Sequence, residues 1–204
     1  MKHIETEFKW NANFPRAFYK MQRACQEIAA LSDGQKIKIH DTYLDTPNGF
    51  FNRQKIAFRL RYVDHRWEAT FKTKTELKNG CAVRREETLK LPVKTLSEAL
   101  RFLQQKRIWE GLPLTELQPK FSIKNNRTLY TVSYQKTYGE LAFDSFKIFV
   151  CGRTVCMKEI ELELKKGSPQ ILAKLAKQIT QTSALKFAKI SKVKTAEKLL
   201  QLWK

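Results

Sequence analysis

The sequence has few glycines and prolines and no long apolar segment. Its 204 residues include seven Gly and six Pro, too few to build flexible linkers or low-complexity tracts. No apolar run approaches the roughly 18 residues that a membrane-spanning helix requires. The opening MKHIETEFKW also lacks the apolar segment of a signal peptide. We therefore expect a protein that neither spans a membrane nor is exported by a signal peptide.

Cysteine is also scarce. The four cysteines, Cys25, Cys81, Cys151 and Cys156, are scattered along the chain. Their one close pair matches neither a CxxC redox motif nor the usual spacing of a zinc site. Because disulfides are rare in reducing compartments, we expect reduced thiols and a cytoplasmic location.

Apolar material is ample for a core. Hydrophobic residues make up 42% of the chain and aromatic residues 11%, which excludes an intrinsically disordered chain. The length fits one domain, and no internal repeat divides it. We expect residues 1–204 to form a single domain that ends in a basic helical segment at about 165–204.

The hydrophobic periodicity predicts an antiparallel α+β domain. Apolar residues recur at intervals of three and four in a first helix from Asn13, as its N-cap, to Leu31. Thr95 and Glu98 form a capping box for a second helix that reaches about Trp109. The other predicted elements are helices at about 168–180 and 191–203, and strands at about 1–10, 36–44, 54–63, 66–74, 82–91, 119–124, 128–136, 140–149 and 155–164.

Charged residues alternate with uncharged ones along these strands and cluster by sign. A sheet with one face on helices and the other in water would show the same alternation. Like charges on one face repel each other, however, so the pattern also fits a closed barrel whose charged faces point inward around a water-filled bore. The same-face groups are Glu5, Glu7 and Lys9; Arg59 and Arg61; Lys72 and Lys74; Arg85 and Glu87; and Glu159, Glu161 and Glu163.

Inside such a bore, these residue types suit a metal and a phosphate chain. Carboxylates at every second position supply the hard oxygen ligands that Mg²⁺ and Mn²⁺ prefer. Arginine binds phosphate oxygens through its two-pronged guanidinium group, and lysine binds them as a point charge. The sequence has no glycine-rich phosphate loop, and this arrangement needs none.

A series of motifs, in order along the chain, resembles the CYTH superfamily of triphosphate tunnel metalloenzymes. The resemblance spans positions 5–192. The motifs are the ExExK strand Glu5-Thr6-Glu7-Phe8-Lys9, the turn Tyr43-Leu44-Asp45-Thr46-Pro47, the RxR strand Arg59-Leu60-Arg61, the KxK strand Lys72-Thr73-Lys74, the R-E element Arg84-Arg85-Glu86-Glu87, Arg127, Asp144, the late strand Glu159-Ile160-Glu161-Leu162-Glu163, and Ser191-Lys192.

The resemblance implies an eight-stranded antiparallel β-barrel that forms a tunnel, with helices packed outside. It also implies one or two divalent metals, Mg²⁺ or Mn²⁺, and a triphosphate substrate. The residues implied to bind phosphate are Lys9, Arg59, Arg61, Lys72, Lys74, Arg85, Arg127 and Lys192. Those implied to hold metal are Glu5, Glu7, Glu87, Asp144, Glu161 and Glu163. Glu5, Glu7, Lys9, Glu161 and Glu163 are the implied catalytic residues.

The expected activity is metal-dependent removal of the terminal phosphate of a small linear triphosphate. Inorganic triphosphate is the first candidate substrate, and thiamine triphosphate or a nucleoside triphosphate the second. The alternatives are a class IV adenylate cyclase, an RNA 5′-triphosphatase, and a noncatalytic protein that binds RNA or polyphosphate. The oligomeric state is left open.

Most of the net charge lies outside the expected site. The chain carries +19, with 39 Lys and Arg against 20 Asp and Glu. With Glu159 counted beside the six implied metal ligands, the site accounts for eight basic and seven acidic residues, so the remainder carries about +18. This exterior would attract nucleic acid, polyphosphate or an anionic membrane surface, although solvated lysine-rich helices would give the same excess. Residues 165–204 contain Lys165, Lys166, Lys174, Lys177, Lys186, Lys189, Lys192, Lys194, Lys198 and Lys204 against the single acid Glu197.

Overall fold

The computed structural model describes residues 2–106, 108–188 and 190–203. Lys189 and Lys204 of the basic C-terminal segment lie outside the described residues. The strands are β1 (Lys2–Asn11), β2 (Ala30–Leu31), β3 (Gln35–Asp45), β4 (Ala57–Val63), β5 (Arg66–Lys72), β6 (Glu76–Lys78), β7 (Cys81–Leu91), β8 (Gln118–Tyr134), β9 (Thr137–Val150) and β10 (Arg153–Lys166). The helices are α1 (Ala17–Ile28), α2 (Phe50–Arg53), α3 (Leu96–Gln105), α4 (Pro169–Ser183) and α5 (Lys192–Leu202).

Eight of the strands close into an antiparallel barrel. They follow the order β1, β10, β9, β8, β3, β4, β5 and β7, and β7 pairs with β1 to complete the ring. The short strands β2 and β6 add to β8 and β7 without entering the ring. The predicted eight-stranded α+β barrel is therefore confirmed. That residues 1–204 form a single domain stays a prediction.

The apolar outer face of the barrel is covered by helices in two places. Helices α1 and α4 cover a cluster that includes Trp10, Ile160 and Leu162, all at 0% exposure. Helix α3 covers a second cluster around Phe58 and Leu60. Because side chains alternate along a strand, burial of these outward residues leaves the charged residues between them on the inner face.

Helix α5 has a different position from the other helices. Its Ala196 packs against Phe146 and Ile148 of β9, in a third cluster that also contains Ile123 of β8. Phe146 and Ile148 lie on the same side of β9 as Asp144, which faces the bore. The helix therefore occupies one end of the barrel and carries Lys192 to the cavity.

The structure differs from the prediction in the strands at 119–124 and 128–136 and in the first two helices. The strands expected at 119–124 and 128–136 form one strand, β8, of 17 residues. The first helix begins at Ala17 and ends at Ile28, and Arg16 rather than Asn13 is at its N-cap. A residue before proline is disfavoured in helical conformation, which excludes Phe14 from the helix. The Asn13 side chain instead accepts a hydrogen bond from the Lys158 amide.

The second helix begins as predicted and ends early. Thr95 Oγ1 accepts a hydrogen bond from the Glu98 amide at 3.2 Å, which confirms Thr95 as the N-cap. The Glu98 side chain accepts from the Lys94 amide rather than from Thr95. The helix ends at Gln105, and the Trp109 side chain packs into the second outer cluster.

Within the described ranges, no helix is both long enough and apolar enough to cross a bilayer. The four cysteines are unpaired, with Cys25 buried and both Cys151 and Cys156 exposed.

Candidate active site

The barrel encloses a cavity of about 230 Å³ with a strongly charged wall. Seven acidic and eight basic residues line it, so the formal charge of the wall is +1. The acidic residues are Glu5, Glu7, Asp41, Glu86, Glu140, Glu161 and Glu163, and the basic residues are Lys9, Arg59, Arg61, Lys72, Arg84, Arg127, Lys165 and Lys192.

Glu5 and Glu7 of β1 share the guanidinium group of Arg84. Arg84 Nε donates to Glu5, and Arg84 Nη2 donates to Glu7 at 3.0 Å. Lys72 Nζ donates to the other Glu5 oxygen at 2.8 Å. Burial alone would raise the pKa of Glu5, but Lys72 and Arg84 outweigh it and hold that pKa well below its usual range. Glu5 is therefore an anion at neutral pH.

Among the described carboxylates, Glu161 of β10 has the most basic partners. Lys9 Nζ donates to its Oε1 at 2.7 Å, Lys192 Nζ to the same atom at 2.9 Å, and Arg127 Nη2 to Oε2 at 2.5 Å. Burial would raise the pKa of Glu161, but Lys192, Lys9 and Arg127 lower it well below its ordinary value. Both oxygens of Glu161 are occupied by side chains that could also bind phosphate.

Asp144 and Glu159 lie beside this group. Asp144 is fully buried and accepts both Arg127 Nε and Arg127 Nη2 at 2.7 Å, with Lys192 as a third donor. Glu159 Oε1 lies 3.0 Å from Lys192 Nζ. Burial raises the pKa of Glu159 to about 7, even though Lys192 and Lys9 oppose the shift.

Asp41 of β3 holds the two arginines of β4, a role that the sequence analysis missed. It accepts Arg61 Nε at 2.7 Å and Arg61 Nη2 at 2.8 Å, and Arg59 Nη1 approaches it at 3.4 Å. Arg59 Nε is buried and has no hydrogen-bond partner among the described residues. A buried donor without a partner is costly, so Arg59 offers a site for an anion's oxygen. The sequence signal for Asp41 was its position two residues before Tyr43 of the turn motif, because residues two apart on a strand share a face.

The structure corrects three predicted site residues. Arg84 and Glu86, rather than Arg85 and Glu87, face the cavity, because Glu5 pairs with Arg84 and alternation turns the intervening residues outward. Lys74 is exposed and lies beyond the end of β5 at Lys72. Lys74, Arg85 and Glu87, which were predicted to bind phosphate or metal, are therefore not among the residues that line the cavity.

The other predicted residues converge on the cavity. Glu5, Glu7, Lys9, Arg59, Arg61, Lys72, Arg127, Glu161, Glu163 and Lys192 line it, and Asp144 contacts two of them. The sequence analysis did not assign Glu140 and Lys165. Lys165 Nζ lies 2.9 Å from both Glu140 and Glu163, and its side chain is 41% exposed. This trio therefore lies at an end of the cavity that is open to solvent.

The acidic side chains fit a hard divalent cation by their chemistry and by their placement. The described residues hold no ready-made group of three or more His, Cys, Asp or Glu ligands. The strand register nevertheless places Glu7 of β1 directly opposite Glu163 of β10. Like charges opposite each other are destabilising, and a divalent cation would offset their repulsion. Burial raises the pKa of Glu163, and the charge of Glu5 adds to that shift.

Comparison with known proteins gives one family. The sequence model of the CYTH domain matches residues 3–197. An inorganic triphosphatase from Haemophilus influenzae is 34% identical over 162 residues, which cover 78% of this chain and 45% of that protein. The chain thus spans about half the length of this relative.

Solved structures share the fold. One from Hippeastrum, described as a candidate adenylyl cyclase with a dominant triphosphatase activity, has a TM-score of 0.70 at 18% identity and covers 95% of each chain. A candidate adenylate cyclase from Bacillus halodurans has a TM-score of 0.61 at 19% identity and covers 95% of this chain and 97% of its own.

Proposed function

The chain belongs to the CYTH domain family, and on that premise we propose that it hydrolyses the terminal phosphoanhydride bond of a triphosphate with the help of a divalent metal ion. Inorganic triphosphate is the proposed first substrate. The proposal rests on the composition of the cavity wall, which contains nearly equal numbers of basic and acidic side chains. A wall of formal charge +1 cannot neutralise a triphosphate by itself, so the polyanion and a divalent cation are expected to enter together.

The basic residues of the wall bind the phosphate chain. Arg59 offers its unpartnered Nε, and Arg61 beside it is oriented by Asp41. Lys9, Lys72, Arg127 and Lys192 complete the proposed set, together with Arg84 in place of Arg85. Each of them is paired with a carboxylate in the structure. Phosphate oxygens would exchange with those carboxylates as hydrogen-bond acceptors.

Once phosphate oxygens accept these hydrogen bonds, the carboxylates become free to bind a metal ion. Glu5, Glu7, Glu161 and Glu163 would hold Mg²⁺ or Mn²⁺, with Asp144 as a further carboxylate behind Arg127. When bound, the metal would polarise phosphoryl oxygens and lower the pKa of a water molecule. The protein's own contribution is to hold the phosphates in a fixed row and to stabilise the negative charge that develops on the leaving oxygen.

The size of the cavity favours a small substrate. Its volume of about 230 Å³ is below the range of about 300–1,000 Å³ of pockets that enclose drug-sized ligands. A linear inorganic triphosphate has no organic group to accommodate. A nucleotide would have to leave its base outside the charged wall. The small volume therefore supports inorganic triphosphate ahead of ATP as the proposed substrate, and hydrolysis ahead of cyclisation.

Phosphate release from four substrates tests the proposal. Inorganic triphosphate, thiamine triphosphate, ATP and an RNA with a 5′-triphosphate are compared in Mg²⁺, Mn²⁺ and EDTA, and the ATP reaction is assayed for cyclic AMP. We expect metal-dependent release that is fastest on inorganic triphosphate. If cyclic AMP were the main product of ATP, the protein would be an adenylate cyclase and the proposal of hydrolysis would be rejected. Absence of turnover on all four substrates with either metal would reject hydrolysis.

A further inference from the structure

The barrel has an uncovered outer surface where β3, β8, β9 and β10 lie side by side. One cross-strand row on this surface consists of His40, Lys124, Lys147 and Cys156, each directly opposite the next. The row points outward because Asp41, the neighbour of His40, faces the cavity. Lys124, Lys147 and Cys156 are exposed.

A second row runs parallel to the first, two residues along each strand. It consists of Lys38, Asn126, Ser145 and Lys158, again paired in register and all exposed. We call these two rows the basic face. It contains four lysines and no acidic residue, and it crosses four strands over about 14 Å.

The basic face keeps positive charges together at a cost. Lys124 is directly opposite Lys147, at a separation where like charges repel. Burial lowers the pKa of His40, and the charge of Lys124 lowers it further. Within the described ranges none of the four lysines forms an ion pair. The fold therefore maintains a concentrated positive charge that is not paired with any carboxylate in the described part of the chain.

Two of the lysines are held above aromatic rings. Lys124 Nζ lies 5.4 Å from the centre of the Phe149 ring, and Lys158 Nζ lies 5.6 Å from that of Phe18. Cation–π contacts of this kind hold a side chain in place without neutralising its charge. The ammonium groups stay available to an anion in solution.

A groove of about 760 Å³ borders the basic face. Ser145 and Lys158 of the basic face form one side, and residues around the start of α1, among them Arg16, form the other. Phe14 and Tyr19 also line the groove, and they are 40% and 60% exposed. Two exposed aromatic rings thus lie in a groove that Lys158 of the basic face also lines.

We propose that the basic face and the Phe14–Tyr19 groove bind single-stranded nucleic acid. Lysines that track a phosphate backbone, combined with aromatic rings on which bases stack, are the features that single-strand binding requires. A polyphosphate chain has no base to stack on Phe14 and Tyr19, and a duplex keeps its bases paired. The lysines supply charge without base-specific geometry, so binding is independent of sequence and sensitive to salt.

Fluorescence anisotropy with a labelled single-stranded RNA of about 12 nucleotides and a 5′-hydroxyl end tests the proposal. The 5′-hydroxyl removes the triphosphate that could enter the barrel cavity. Lys124→Gln combined with Lys147→Gln should weaken binding at least about tenfold at low salt. It should also reduce the slope of log Kd against log salt by about 1.4. Phe14→Ala and Tyr19→Ala should each weaken binding about 5- to 50-fold and leave the salt slope unchanged.

The matched control is Lys174→Gln combined with Lys177→Gln, which removes the same charge from the exposed face of α4. It should change the affinity by less than about threefold. Equal weakening by the control would show that total charge, not this face, binds the RNA. Full competition by a polyphosphate of equal charge, together with wild-type affinity in the two aromatic variants, would also overturn the proposal. Unchanged triphosphate hydrolysis and melting temperature would establish that the variants are folded.

Discussion

Arg127 donates to Asp144 through Nε and Nη2, both at 2.7 Å, and the same Nη2 donates to Glu161 at 2.5 Å. One guanidinium group therefore connects a fully buried carboxylate of β9 with the central carboxylate of β10. Burial would lower the pKa of Arg127, but Asp144 and Glu161 raise it well above its ordinary value. Arg127 is thus a permanent cation whose orientation is fixed before substrate arrives.

Arg127→Ala should reduce kcat/KM for inorganic triphosphate by about 10²- to 10³-fold, because a preorganised donor to the phosphates is lost. Arg127→Lys restores the charge without the two-pronged geometry and should recover only part of the rate. Initial-rate kinetics give both values. Arg23→Ala, which changes an exposed arginine of α1, is the control and should match the wild type. Wild-type kinetics in folded Arg127→Ala would contradict the proposed role.

Asp41→Asn should raise KM about tenfold and lower kcat less, since Asp41 orients Arg59 and Arg61 rather than touching the substrate. The amide keeps the size of the carboxyl group and removes the charge that holds both guanidinium groups. Asp33→Asn removes an exposed carboxylate from the β2–β3 connection and should leave both constants unchanged. A drop in kcat with KM constant would assign Asp41 a role in the chemical step instead.

Asp41 should also make stability depend on pH in the acidic range. Burial would raise its pKa, but Arg61 and Arg59 outweigh it and hold the folded-state pKa below the ordinary value of 3.8. A carboxylate with a lowered folded-state pKa contributes stability above its unfolded-state pKa and loses that contribution as the pH falls through the folded-state value. The difference in unfolding free energy between wild type and Asp41→Asn should therefore shrink below about pH 4.

Urea unfolding at several pH values between about 3 and 7 measures that difference. Asp33→Asn is again the matched comparison. A difference between wild type and Asp41→Asn that stays constant across this range would mean that the charge of Asp41 does not stabilise the fold.

Arg84 and Arg85 give a direct test of the strand register. Arg84→Ala removes the shared partner of Glu5 and Glu7 and should lower kcat/KM by about 10²-fold or more. Arg85→Ala changes a side chain on the other face of β7 and should stay within about threefold of the wild type. The two variants have the same composition, so the comparison isolates position. The reverse order of effects would restore Arg85 as the inward residue.

This pair also illustrates how far the sequence could predict the site. Period-two alternation identified Glu5, Glu7, Lys9, Glu161 and Glu163 as same-face residues, and all of them line the cavity. The doubled sequence Arg84-Arg85-Glu86-Glu87 satisfies the same alternation in either of two registers. Only the pairing of Glu5 with Arg84 across β1 and β7 decides between them. That contact joins residues 79 positions apart, which local pattern does not encode.

The sequence predicted where β8 lies but not that it is one continuous strand. Asn125 and Asn126 interrupt the apolar pattern and have low β-propensity, so local sequence favours a break there. In the barrel, both flanking strands continue through this point: β8 pairs with β3 from Gln118 to Leu129 and with β9 from Ser122 to Tyr134. Tertiary pairing thus overrides a local preference, and it places Asn125 in the cavity wall.

Metal and substrate should bind to the cavity cooperatively. Lys9, Lys192 and Arg127 donate hydrogen bonds to the two oxygens of Glu161. A divalent cation alone would compete with these three cations, and a triphosphate alone would have to displace Glu161 from them. When both ligands are present, phosphate oxygens take the basic partners and Glu161 becomes free to bind metal. Each ligand therefore lowers the cost of binding the other.

Thermal unfolding should reveal this coupling. Mg²⁺ alone and inorganic triphosphate alone should shift the melting temperature little, whereas a non-hydrolysed triphosphate analogue with Mg²⁺ at about a hundredfold excess over Kd should raise it by roughly 5–10 °C. Glu161→Gln should lose the joint shift and turnover, because an amide neither carries the charge for the metal nor needs its three basic partners. Glu27→Gln on the exposed face of α1 is the control. Additive shifts from the two ligands in the wild type would mean that the exchange of partners at Glu161 does not occur.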